Sequence, residues 1–293
     1  MRGILHTFGG RARFTRRMGQ ATAMLSLLGA VQVVQASERS EASTSAAARD
    51  EARRAIPLAK VDPAHRRAVS EVLADPSIFR RLPTNVIDCQ PELFTFLAQN
   101  PEVLVAIWRQ LGVSGVELVR TGENTFRLSD GAGTTGKMTI VEHACDAAAQ
   151  NRIVMYVEGV YEGKPFNKPM SAQCVLVLRS GSTTETNGRV YVATRLDSFV
   201  KLDRASIELV AKAIHPFVGQ TADRNFADSL AFISNLSFTA EKRPEAIENM
   251  AGELTGVEAR RKQELARLSH VCAEAGRQWR LSRAAQTSTN SSR

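Results

Sequence analysis

The chain has 293 residues, 43% of them hydrophobic, and a formal charge of +8. Its first 36 residues hold five arginines and no acid, so their removal takes +8 to +3 and strips most of the basic excess that a nucleic-acid binder needs. The basic runs that remain, Arg80-Arg81 and Arg260-Arg261-Lys262, have acids close by and read as solvated surface, which argues against nucleic acid as a partner.

Gln20 to Gln35 is largely apolar, with Met24, Leu25, Leu27, Leu28, Val31, Val33 and Val34, and closes on Val34-Gln35-Ala36. A basic start, a short apolar run and small residues at its end describe a secretory signal. The run is shorter than the roughly 20 residues of a membrane span. Residues 1–36 are therefore expected to be a signal peptide cleaved after Ala36. The protein would then be exported, to the periplasm or beyond, or be held at the membrane by an uncleaved leader. Residues 37–55 are Ser, Ala, Glu and Arg without apolar period and are predicted to be a disordered linker.

A single α+β domain is predicted over 56–255. Asp62-Pro63 offers an N-cap and a first-turn proline for a helix with Val69, Val72 and Leu73 on one face, stopped by Asp75-Pro76. Gln90-Pro91 opens a second helix, with Leu93, Phe94, Phe96 and Leu97. Asn100-Pro101 opens a third with Leu104, Ile107, Trp108 and Leu111, and Gly112 follows as its C′ residue.

Strands are then predicted over 116–120, 124–128, 137–142, 152–161, 173–179 and 189–200, rich in Val, Leu and Tyr and separated by turn formers, among them Gly181 and Asn187-Gly188. Short connections make such a sheet of about six strands mostly antiparallel. In the last strand Val190, Val192, Leu196 and Val200 share one face, the one expected to meet the covering helices. Tyr191, Ala193, Arg195, Asp197 and Phe199 share the other. The covering helices are expected at 204–214 and 221–238, the second capped by Thr221 and burying Phe226, Leu230 and Ile233. Pro244 starts another helix. A thin stripe of Leu265, Leu268, Cys272, Ala275 and Trp279 over 256–281 predicts an amphipathic arm able to dock a partner such as an envelope protein, and 282–293 a disordered tail.

No motif assigns an activity. Gly131 to Lys137 fits the first seven positions of a P-loop, but Met138 stands where a Ser or Thr hydroxyl must reach Mg²⁺, so a glycine-rich hairpin or access loop is expected. There is no G-x-S-x-G elbow, and His143 beside Glu142 is the best catalytic histidine on offer. The four cysteines form no C-x-x-C pair and have no His at ligand spacing, so neither a metal nor a cofactor is implied; export would permit disulfides of undetermined connectivity. Four polar residues stand out: Glu158, Arg195 and Asp197 within apolar strands, and Asp130 before the glycine-rich stretch. They are either cross-strand ion pairs or a ligand site in which Asp197 and Glu158 hold Arg195 for a carboxylate or phosphate.

Asp88-Cys89-Gln90-Pro91-Glu92-Leu93, Asn100-Pro101-Glu102-Val103 with Trp108, Asp130-Gly131-Ala132-Gly133-Thr134, Arg195-Leu196-Asp197 and Gly219 to Phe226 resemble an uncharacterised family of exported bacterial proteins. That resemblance spans roughly Ile56 to Leu254 and implies export and a shared fold without an activity. The order of helices, antiparallel strands and closing helices is similar to helix-grip (START-like) domains, which enclose apolar ligands. The expected function is accordingly a non-catalytic module for a lipid or another apolar or amphipathic small molecule, with Arg195 as its polar anchor and the Asp130 to Gly136 loop at its mouth. The alternative is an envelope structural or interaction protein that acts through the C-terminal arm.

Overall fold

The computed structural model describes residues 42–145, 150–163, 168–203 and 217–290. Two helices, α1 (Ala46–Arg54) and α2 (Pro63–Ala74), lead into strands β1 (Ile78–Arg81) and β2 (Asn85–Ile87) and helices α3 (Pro91–Gln99) and α4 (Pro101–Gln110). Strands β3 (Glu117–Arg120), β4 (Thr125–Ser129), β5 (Thr134–Ala144), β6 (Asn151–Tyr161), β7 (Met170–Thr184) and β8 (Val190–Leu202) follow. Helices α5 (Phe217–Lys242), α6 (Pro244–Glu253) and α7 (Ala259–Asn290) complete the chain. The leader and the helix expected over 204–214 lie outside the described residues.

The architecture is the predicted α+β, with an antiparallel sheet of eight strands in the order β1-β8-β7-β6-β5-β4-β3 and β2 also on β8. The two strands beyond the six expected are halves of one edge strand. Ile78–Arg81 pairs with Asp197–Val200 and Asn85–Ile87 with Val192–Thr194, and Leu82-Pro83-Thr84 interrupts them where proline can donate no ladder bond. Turn formers misplace one reversal. Gly181 lies inside β7, and the chain turns at Glu185 to Gly188, where Gly188 takes φ +77°.

Both faces of the sheet are covered. On one, Phe79, Val154, Tyr156, Val175, Val177 and Phe199 pack with Ala52 and Ile56 beneath α1 and with Val69, Val72 and Leu73 of α2. A β-bulge between Ile140 and Glu142 adds Val141 to this layer. The other face carries Phe126, Met138, Ile140 and Ile153. At its β2–β8 end, Ile87 and Val192 join a helical layer in which Leu93, Leu97, Ile107, Leu236, Leu254 and Leu265 meet. Side chains of that size each stabilise by roughly 1.5–3 kcal/mol when fully buried.

Several expectations need correction. Both faces of the last strand are covered: Val192, on the expected face, meets α5 and α7, and the face with Asp197 and Phe199, expected to be open, lies under α1 and α2. Residues 46–54 of the expected linker are helical: Ser45 caps α1 by accepting from Ala48 N at 3.2 Å, Ala52 is wholly buried, and Ser43 pairs with Arg81. A segment short of large apolar residues is thus ordered by backbone pairing and, as described below, by charge. In α4 the buried apolar positions are Val103, Val105 and Ile107, with Leu104, Trp108 and the following Leu111 only half-buried. Thr221 lies inside α5 instead of at its start, and Asp223 pairs with Arg80. The domain does not end at 255. Leu265, Leu268 and Cys272 sit in the main helical core, so the arm is part of the domain, and α7 carries the expected tail as helix to Asn290.

Candidate functional site

Three arginines stand in a row across the sheet, because register sets Arg152 opposite Arg179 and Arg179 opposite Arg195. Directly opposed residues of antiparallel strands share a face, and like charges there repel. Carboxylates compensate. Arg152 is held by Glu142, with Nε to Oε2 at 3.0 Å and Nη2 to Oε1 at 2.8 Å. Asp197, two residues past Arg195 and so on the same face, is completely buried. Its Oδ1 accepts from Arg81 Nε at 2.6 Å and its Oδ2 from Arg179 Nη2 at 3.0 Å.

The second carboxylate comes from α1. Glu51 meets Arg179 Nη1 at 2.9 Å and Arg195 Nη2 at 3.3 Å, and it also pairs with Arg81. Arg81 anchors the same helix through a bond from Nη2 to the Ala48 carbonyl at 3.1 Å. Among the described residues, Arg81, Arg179 and Arg195 share the two carboxylates of Asp197 and Glu51, one positive charge in excess. The donors tell the same story. Arg179 Nε and Arg195 Nε are buried without a hydrogen-bond partner among the described residues, and the latter lies 4.0 Å from Asp197 Oδ2. Burial, followed by the charges of Arg179 and Arg81, pulls the Arg195 guanidinium below its ordinary range despite Asp197 and Glu51. Another anion beside it would relieve that deficit.

Glu51 titrates in the opposite sense to a simply buried acid. Burial acts to raise its pKa, but hydrogen bonds and charge from Arg179 and Arg81 prevail and hold it below 4.5. The unfolded chain then takes up this proton first as the solution is acidified. The contribution of Glu51 to stability is complete above about pH 4.5 and is lost as pH falls through the lower folded value. Thermal melts from pH 6 down to pH 3 should show a shallower acid limb for Glu51→Gln than for the wild type. Superimposable slopes would refute this assignment.

A groove of about 510 Å³ opens beside Arg179 and Arg195 and is lined also by Thr84, Gln150 and Thr183. A second groove, of about 500 Å³, has Phe94, Phe96, Val192 and Leu268 among its walls. The two share Ser180, Gly181 and Ser182 of β7 but open on opposite faces of the sheet, since Arg179 and Arg195 stand on the α1 side and Val192 on the other.

Of the residues singled out in the sequence, the structure brings Arg195 and Asp197 together and leaves Glu158 and Asp130 elsewhere. Glu158 is exposed, opposite Lys137 and Gln173, and six residues further along β6 than Arg152, roughly 20 Å at the usual strand rise. It lines a separate groove with Lys201 and Asp203 and cannot hold Arg195. Asp130 closes the β4–β5 hairpin by accepting from Ala132 N and Thr134 N, both at 2.8 Å. The glycine-rich stretch is therefore a hairpin turn. Gly133, at φ +116°, accepts from Glu162 N, and a Cβ there would stand 2.5 Å from the Glu162 carbonyl oxygen. The other members of the cluster, Arg81, Arg179 and Glu51, come from other elements, and pairing register and the docking of α1 bring them in.

The candidates for catalysis stay apart. His143 is exposed, and its neighbour Glu142 is committed to Arg152. All four cysteines are free thiols, and burial pushes Cys89 and Cys272 up to about 12, far from a ready thiolate. Among the described residues, no three His, Cys, Asp or Glu side chains are grouped to hold a metal ion. Compared with known proteins, the chain matches no family model and no curated protein.

Proposed function

We propose that this chain is a non-catalytic binding module, exported by its leader, for an amphipathic ligand whose anionic head lies over Arg179 and Arg195 and whose apolar body follows the groove past Phe96. The observation that carries the reading is the pair of buried guanidinium Nε–H groups without partners beside an open groove. Buried donors are nearly always satisfied, and an arginine fork matches a carboxylate or phosphate. An apolar groove on the other face of the sheet, bordered by the same Ser180 to Ser182 of β7, supports an amphipath that passes over this part of β7 in preference to a free small anion. The hairpin at Asp130 to Gly136 has no part in this site. The alternative, an interaction protein working through the C-terminal arm, has less support, since Leu265, Leu268 and Cys272 are already buried within the chain.

The test compares two amphiphiles with the same tail, dodecanoate and dodecanol, by melting shift and by native mass spectrometry. Dodecanoate is expected to stabilise the protein more, and Arg195→Ala to remove most of the difference. Equal shifts from both amphiphiles, or no retention of either, would count against the reading.

A further inference from the structure

Glu51 and Asp197 neutralise the same three arginines in unlike ways. Asp197 has no exposed surface, and its two oxygens are fixed by Arg81 and Arg179. The Glu51 side chain is 43% exposed, belongs to a separate helix and meets Arg195 at only 3.3 Å. It supplies two oxygens to a guanidinium cluster as a ligand carboxylate would. The two unpartnered Nε–H groups are out of reach of solvent, so an incoming oxyanion engages them only when a neighbouring group gives way. Asp197 is enclosed and cannot. Glu51 can swing into water without breaking the backbone of α1.

On the reading that Arg179 and Arg195 receive an anionic head, we propose that Glu51 is a resident occupant of that site, and that an oxyanion of the carboxylate or phosphate class binds by exchange with it, loosening α1 from the sheet. The charges fit this sense of coupling. With Glu51 in place the three arginines retain one excess charge, and with Glu51 displaced the incoming anion meets two. The rest of the hold on α1, through Ala52, the Ser43 bridge to Arg81 and the bond from Arg81 to Ala48, keeps the helix close while its acidic contact is released.

The experiment uses the full chain and two probes, inorganic phosphate and hexanoate, so that a phosphate-type and a carboxylate-type head are told apart. Removing the competing charge in Glu51→Gln should tighten binding of the preferred probe by about tenfold or more, because a unit charge at contact distance in a partly buried site exceeds the free energy of a factor of ten. Saturating probe should also restore most of the melting temperature that this variant loses. A second measurement needs no variant: hydrogen exchange over Ala46–Arg54 in the wild type is expected to accelerate at saturating probe. Binding of equal strength in wild type and Glu51→Gln, or slower exchange in α1 on binding, would overturn the exchange while leaving the anion site standing. Failure of both proteins to bind either probe would overturn the site itself, and the exchange with it.

Discussion

Asp197→Asn is expected to be among the most damaging single substitutions in this protein, lowering stability by about 3–5 kcal/mol and the melting temperature by on the order of 10 °C. The substitution keeps shape and volume and removes one charge. Asp197 is the only carboxylate in the cluster with no exposure, and it is bonded to Arg81 and Arg179 while facing Arg195. Without it, three guanidinium groups on adjacent strands are left with Glu51 alone, and an uncompensated buried charge costs more than the ion pair itself contributes. The double variant Asp197→Asn, Arg179→Gln should recover part of the loss. A single variant that melts within a degree or two of the wild type would mean that solvent reaches the cluster freely.

A chain ended after Glu258 is expected not to fold. It would lack α7, whose Leu265, Leu268 and Cys272 lie among Leu93, Leu97, Leu236 and Leu254. Two fully buried leucines and a cysteine are worth several kcal/mol together, a large part of the 5–15 kcal/mol of a typical domain. Polar anchors go with them. Arg261 bonds Asn100 Oδ1 at 2.8 Å and pairs with the buried Glu102 at 3.1 Å, while Trp279 donates to the Asn187 carbonyl at 2.9 Å. Circular dichroism and limited proteolysis of the truncated chain, with Leu265→Asp as the full-length control, decide the matter. A truncated protein with a cooperative melt would restore the picture of a separable arm.

What could be read from the sequence is what neighbours along the chain determine. Asp62-Pro63, Gln90-Pro91, Asn100-Pro101 and Pro244 mark their helix starts because caps and prolines act locally, and Gly112 ends α4 at φ +67° for the same reason. The strand core was legible from its composition. β1 and β2 were not, since three or four residues give no period. α1 was missed because its order comes from Ser43, Ala52 and Glu51 meeting residues far along the chain. The site was half visible. Arg195 and Asp197 are noticeable as charges in an apolar strand, but Arg81, Arg179 and Glu51 join them only through pairing register and helix docking. Glu158 looked equivalent to them from its pattern, and its distance along β6 removes it.

The seat of β1 and β2 on β8 also bears on how the molecule is made. Residues near 80 must wait for partners near 195, so the sheet is completed by contacts more than a hundred residues apart in the chain. Contacts of such separation slow folding, since a long loop must close before they return any stability. Until then the outer edge of β8, with Val192, Leu196 and Val200, is an open template for another chain's strand. Tyr191 to Leu202 is therefore the segment through which crowded, half-folded copies would associate, and Arg195, Asp197 and Lys201 are the charges within it that discourage them.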